Sequence, residues 1–180
     1  EITLEANPGT FEADRFRGFA AAGVNRLSIG VQSFDDAALR AIGRVHDGAQ
    51  ARAAGALAAQ VFDTFNIDLM YALPGQTLEM LERDLDTALS LSPPHLSCYQ
   101  FTLEPNTYFA RFPPPLPDDD LAAAMQDLVE ARTAAAGLRQ YEVSAYARDG
   151  HRCRHNLNYW EFGDYLGIGA GAHGKISSHE

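Results

Sequence analysis

Residues 65–94, FNIDLMYALPGQTLEMLERDLDTALSLSPP, hold one whole strand-and-helix unit. FNIDLMY is a seven-residue run dominated by apolar, β-prone side chains, which is the pattern of a strand. After the turn residues, Thr77 stands where a helix cap is wanted. Leu78, Leu81, Leu85 and Leu89 then recur on one helical stripe until Pro93 and Pro94 stop it. Asp68 breaks the pattern. It interrupts the apolar strand, and the period-two alternation sends its side chain away from Ile67 and Leu69.

The same signal repeats on both sides. ITLEA at 2–6 precedes a helical run in which Phe16, Phe19 and Ala20 share a face. RLSIGVQSF at 26–34 leads into DDAALRAIG, with Ser33 and Asp36 spaced as a capping box. DGAQARAAGALAAQVF repeats that spacing with Asp47 and Gln50, and HLSCYQFTL at 95–103 is a fourth strand. Repeated units of this kind imply an α/β fold with a parallel sheet covered by helices, either a piece of a (β/α) barrel or an open doubly wound sheet. After the proline-rich RFPPPLP the character changes to a helix over 119–136, the alternating YEVSAYA at 141–147, and a basic, aromatic stretch, HRCRHNLNYW, at 151–160. The reading therefore divides the chain into a barrel portion, 1–113, and the start of an α+β extension, 114–180.

With 180 residues and 46% hydrophobic content the chain can bury one sizeable core. A net charge of −10 and the lack of a lysine-rich face argue against a nucleic-acid partner, which needs a dense positive surface. No run of eighteen uncharged apolar residues exists, so stable membrane insertion is not expected. Two isolated cysteines, Cys98 and Cys153, make neither a disulfide framework nor a zinc site, which points to a reducing compartment, the cytoplasm. The chain opens on Glu1 with a strand signal at once, as if cut from a longer one.

Each of the first three strands carries one polar residue that its pattern does not want: Glu5, Gln32 and Asp68. Active sites of parallel α/β folds lie at the carboxyl ends of strands, so the three are expected to converge on one ligand. Carboxylates and an amide suit hydroxyl and amine groups together, such as a ribose joined to an amino acid. Arg44, in IGRVHD, is the obvious charge partner. Each residue alone has an ordinary reading: Glu5 and Asn7 shape the turn before Pro8, Gln32 starts a helix, and Asp68 bonds a backbone amide. A barrel enzyme using Glu5 and Asp68 as an acid and base pair also fits the spacing.

TLEANPGT, RLSIGVQSF, IGRVHD, NIDLMYALPGQT, CYQFTLEP, CRHNLNYW and DYLGIGAGAH, taken in order and spacing, resemble the radical S-adenosylmethionine proteins related to oxygen-independent coproporphyrinogen III oxidase. The resemblance runs through nearly the whole chain, and HNLNYW is similar to the HemW-type heme chaperones within that group. It implies a partial, TIM-like (β/α) barrel that binds S-adenosylmethionine against a [4Fe-4S] cluster. Glu5, Gln32, Arg44 and Asp68 match cofactor contacts of the family, and Thr102 matches a cofactor-lining position. Ala72 stands where the family has a glycine.

The CxxxCxxC that supplies the cluster's thiolates is absent, as is an upstream GGTP segment. The chain is thus expected to begin at about the third barrel strand. Cluster binding and S-adenosylmethionine cleavage are expected of the full-length protein only, with no catalytic residue and no metal ligand in this fragment. The implied function is a chaperone that binds heme and delivers it to heme-accepting proteins. The alternative is an oxygen-independent coproporphyrinogen III dehydrogenase, so the resemblance leaves open whether the whole protein is an enzyme. For heme the stretch 151–160 offers an axial donor in His155, with His151 or Cys153 as others, flat contact in Tyr159 and Trp160, and charge in Arg152 and Arg154. GAGAHG at 169–174 matches GxGxxG formally, but no helix follows it, so it reads as a turn.

Overall fold

The computed structural model describes residues 1–10, 13–169 and 172–177, without the side chains of Thr10 and Ala13. Four strands, β1 (Thr3–Ala6), β2 (Arg26–Gln32), β3 (Phe65–Tyr71) and β4 (His95–Gln100), alternate with α1 (Ala13–Ala21), α2 (Asp36–Ala41), α3 (Gly48–Val61) and α4 (Leu78–Ser90). The short α5 (Tyr108–Arg111), α6 (Asp119–Ala135), β5 (Arg139–Gln140), β6 (Ala145–Ala147) and α7 (Arg154–Trp160) follow. One sheet contains all six strands in the order β1-β2-β3-β4-β6-β5.

The first four strands are parallel and lie side by side in chain order. Crossovers of one hand between strands that always step in the same direction put every helix on the same face. The strand order never reverses, so the doubly wound alternative is excluded and the winding is that of a (β/α) barrel. On the helix side Leu27, Ile29, Ile67, Leu69 and Leu96 are at most 1% exposed and join Phe16, Ala54, Leu81 and Leu85 in one core. The opposite face is polar, carrying Ser28, Asn66, Asp68, His95 and Ser97 at the alternating positions. The expectation of a sheet covered by helices therefore holds for one face only. The other corresponds to the inside of the barrel.

Helix starts follow their caps. Asp47 and Gln50 form the expected capping box of α3, and Thr77 accepts from the Met80 N–H to begin α4. The start of α2 differs from expectation. Asp35 is the cap, accepting from Ala37 and Ala38, while Ser33 turns inward and donates to Asp84 Oδ2 at 2.6 Å. Asp84, on α4 and 3% exposed, also accepts from the Phe34 N–H at 2.8 Å. Burial pushes its carboxyl above the ordinary value, and the Ser33 and Phe34 hydrogen bonds offset part of that. This contact pins α4 to the segment just past β2. Nearby, α3 approaches so closely that a Cβ at Gly48 would collide with the Phe34 carbonyl.

The division expected at residue 113 lies between α5 and α6. There the parallel winding stops, and β6 pairs antiparallel with β4, setting Ala147 opposite His95. We propose it as the boundary between barrel portion and extension. YEVSAYA is a strand only over Ala145–Ala147, and HRCRHNLNYW contains a helix, α7, that its composition did not announce. Arg132 on α6 pairs with Asp86 and Glu82 of α4, but all three are well exposed, so the pairs add little.

Removing the buried carboxylate in Asp84→Ala should cost about 2–4 kcal/mol of stability, because the Phe34 N–H and Ser33 hydroxyl lose their acceptor. Asp84→Asn, which keeps one acceptor, should cost less. Urea unfolding of the three proteins measures this.

Candidate ligand-binding cleft

A cleft of about 750 Å³ lies between the polar sheet face and the wall formed by α7 and residues 165–169, 172 and 173. Glu5 and Asp68 line it from the sheet, and His155, Tyr165 and His173 from the wall. Asp68 accepts from Asn66 Nδ2 at 2.6 Å and from Ser28 Oγ at 3.3 Å. Burial raises its pKa to about 6, against the lowering effect of the Asn66, Ser97 and Ser28 hydrogen bonds and with the Glu5 charge adding to the rise. At neutral pH it is mainly an anion, poised to accept from a hydroxyl or an ammonium group.

Gln32 and Arg44 meet beside that cleft rather than lining it. Arg44 Nη2 donates to Asn7 Oδ1 and to the Gly30 carbonyl, each at 2.7 Å. A Cβ at Gly30 would come within 3.0 Å of Arg44 Nη2, 3.1 Å of Gln32 Nε2 and 3.2 Å of Asn7 Oδ1, so the glycine leaves room for three polar groups to converge. Burial lowers the Arg44 pKa while the Asp68 charge raises it, which puts the two within electrostatic reach. Arg44 makes no ion pair with a carboxylate among the described residues, which departs from its expected pairing and leaves its charge available. Gln32 and Ala72, at the carboxyl ends of β2 and β3, have φ of 70° and 56°, a conformation that costs a side-chain-bearing residue about 1–2 kcal/mol. The glycine that the resembling family has at Ala72 would relieve this. Thr102 stands apart, exposed in the segment after β4, with its Oγ1 donating to Glu104 at 2.8 Å.

On the other wall, Glu1 grips the start of α7. Its two oxygens accept from the Arg154 and His155 N–H groups, each at 3.1 Å, and from Cys153 Sγ at 3.4 Å. Burial would raise the Glu1 pKa, but those backbone bonds, the charge of buried Arg26 and the Cys153 thiol outweigh it and hold the pKa below the ordinary value. The imidazole of His155 makes no hydrogen bond among the described residues and meets Tyr165 edge-on at 5.3 Å. Its rivals as donors are occupied: His151 shares a hydrogen bond with Thr64, and Cys153 is buried with its thiol pKa raised, chiefly by burial. Tyr159 and Trp160 are 61% and 55% exposed rather than packed on the barrel. Of the GAGAHG stretch, residues 170 and 171 lie outside the described residues.

No group of three or more His, Cys, Asp or Glu among the described residues is arranged to hold a metal ion. Cys98 lies in the helix-side core and its thiol pKa is raised by burial. Asn66, His95, Tyr141 and Glu1 complete the site and were not singled out from sequence. Asn66 could have been, since it stands two residues before Asp68 on the same face.

Residues 1–88 match the Radical SAM superfamily. The chain is 56% identical over 181 residues to the heme chaperone HemW of Haemophilus influenzae and likewise 56% identical to that of Escherichia coli. Each alignment covers 98% of this chain but 46% and 47% of those proteins, so the chain spans about half their length. Among solved structures, coproporphyrinogen III oxidase (HemN) from Escherichia coli superposes with a TM-score of 0.81 at 27% identity, covering 98% of this chain and 44% of that one.

The Glu1 clamp predicts that Glu1→Gln speeds amide hydrogen exchange over 154–160 at neutral pH. A carboxyl with a lowered pKa stabilises the fold above its unfolded value and loses that effect as pH falls through the folded one. In the wild type the same protection should therefore fade only below the ordinary carboxylate range.

Proposed function

We propose, from the Radical SAM match of residues 1–88, that this chain is part of a cytoplasmic heme chaperone that binds S-adenosylmethionine and heme and passes heme to acceptor proteins. The observation that carries this reading is that Glu5, Asp68 and His155 line one cleft. The family implies S-adenosylmethionine and a [4Fe-4S] cluster, and the relatives named heme chaperones supply the heme. No helix of the described residues is long and apolar enough to cross a membrane.

In this reading Asp68 and Glu5 accept from the ribose hydroxyls and the amino group, while Arg44, which makes no ion pair among the described residues, takes the methionyl carboxylate with Gln32 beside it. Thr102 belongs to the outer lining, reached only by a ligand extending past β4. His155 is the axial donor for heme, with the exposed rings of Tyr159 and Trp160 as flat contact and Arg152 and Arg154 for the propionates. The cluster's thiolates come from outside these 180 residues, so the polypeptide alone neither holds a cluster nor cleaves S-adenosylmethionine. The likeness to coproporphyrinogen III oxidase supports a second reading, a dehydrogenase acting on porphyrinogen propionates.

Calorimetry with S-adenosylmethionine should show Asp68→Asn binding about tenfold more weakly or worse, the loss of one charge-assisted hydrogen bond. Equal affinity would remove Asp68 from the site. Ferric heme added to the wild type should shift its Soret band, and His155→Ala should abolish or weaken that shift; identical spectra would exclude His155. Full-length protein incubated anaerobically with coproporphyrinogen should form no protoporphyrinogen, whereas turnover would establish the second reading.

A further inference from the structure

His95, at the start of β4, is fully buried at 0% exposure, yet it belongs to none of the groups that would touch a ligand. Both of its ring nitrogens are bonded, Nδ1 to Asn66 Oδ1 at 2.7 Å and Nε2 to Tyr141 Oη at 2.6 Å. The direction of every bond in this line is fixed by its two ends. An ionised Asp68 only accepts, so Asn66 presents Nδ2 to it at 2.6 Å and to Ser28 Oγ at 2.9 Å. Asn66 Oδ1 is therefore an acceptor, met by Ser97 Oγ at 3.1 Å and by His95. His95 must donate from Nδ1, which leaves a lone pair on Nε2 for the Tyr141 hydroxyl. At the far end the Cys153 backbone N–H can only donate, and it reaches Tyr141 Oη at 3.2 Å, beside Asn156 Nδ2 at 3.2 Å.

We propose that Tyr141, His95 and Asn66 are positioning residues, a one-way hydrogen-bond relay through which the seating of α7 sets the aim of the Asp68 carboxylate. The proposal deepens the ligand reading above and rests on it for its use, since Asp68 is there the group that receives the ligand's hydroxyl or amine. Reversing any member turns a donor against a donor or an acceptor against an acceptor. If the Tyr141 hydroxyl is lost, Nε2 has no donor and the imidazole is free to move its proton there. Nδ1 would then face Asn66 Oδ1 lone pair to lone pair, the amide would flip, and its oxygen would oppose the Asp68 carboxylate. The relay needs a neutral ring. Burial first, with the charges of Arg26 and His151 acting in the same direction and Glu1 opposing them, takes the His95 pKa down to about 3. Around Asp68 the charged and titratable groups are Glu5, Arg44, Cys98 and Tyr99.

The test is nitrogen-15 NMR of the whole chain, with the His95 signals identified by their absence in His95→Phe. The expected result, above the Asp68 midpoint where that carboxylate is ionised, is a neutral ring protonated on Nδ1, unchanged between about pH 7 and 8. A proton on Nε2, or a ring that charges in that range, would overturn the relay. Carbon-13 titration of the Asp68 carboxyl gives a second readout. Its midpoint, near 6 in the wild type, should rise in Asn66→Ala. It should also rise by about half a pH unit or more in Tyr141→Phe, a change that touches neither Asp68 nor Asn66. A merely structural tyrosine would leave that midpoint where it was. An Nδ1 proton with an unchanged S-adenosylmethionine affinity in Asp68→Asn keeps the relay and removes the ligand reading. An Nε2 proton with that affinity lost removes the relay and keeps the ligand.

Discussion

The hydrogen bond from Asn66 to Asp68, 2.6 Å long, settles which face of the sheet can be sealed and which must stay open. A carboxylate in the middle of a parallel strand costs several kcal/mol unless partners meet it, and helices packed on that face would supply none. Asn66, Ser28 and Ser97 meet it instead, each placed by the same alternation that sends Ile67 and Leu69 the other way. The apolar face is then free to take α1, α3 and α4. The polar face looks into the cleft, and what reaches Asp68 from the far side is α7, through Tyr141 and His95.

Much of this was legible in the sequence because it is local. The leucine stripe of α4, the capping box at Asp47 and the turning away of Asp68 each follow from spacings of two, three or four residues. The capping role given to Ser33 failed because Asp84, 51 positions away, competes for its hydroxyl. Long-range partners of this kind leave no spacing to read. The same holds for α7, seven residues that include two asparagines and a histidine and are poor helix formers. It starts where it does because Glu1, more than 150 positions earlier, accepts its first N–H groups. The polar inner face escaped notice for another reason: serine, asparagine and histidine in a strand look like surface positions until their neighbours are known.

Family resemblance and strand chemistry drew attention to the same residues, and their arrangement adds a distinction between them. Glu5 and Asp68 face the cleft, while Gln32, Arg44 and Asn7 gather over Gly30 at its edge, so a ligand with a hydroxyl-rich part and a carboxylate part has a place for each. The residues between that rim and α7 are the relay. The chain spans about half the length of the curated relatives it matches, and the two walls of its cleft are tied together by side chains of its own.

Amide chemical-shift mapping with S-adenosylmethionine is the most direct test of that arrangement. Perturbations centred on Glu5, Gln32, Arg44 and Asp68, and reaching α7 through Tyr141, are what the account predicts. Shifts confined to the shallow cavity lined by Glu130, Gly137 and Gln140, or none at millimolar ligand, would contradict it.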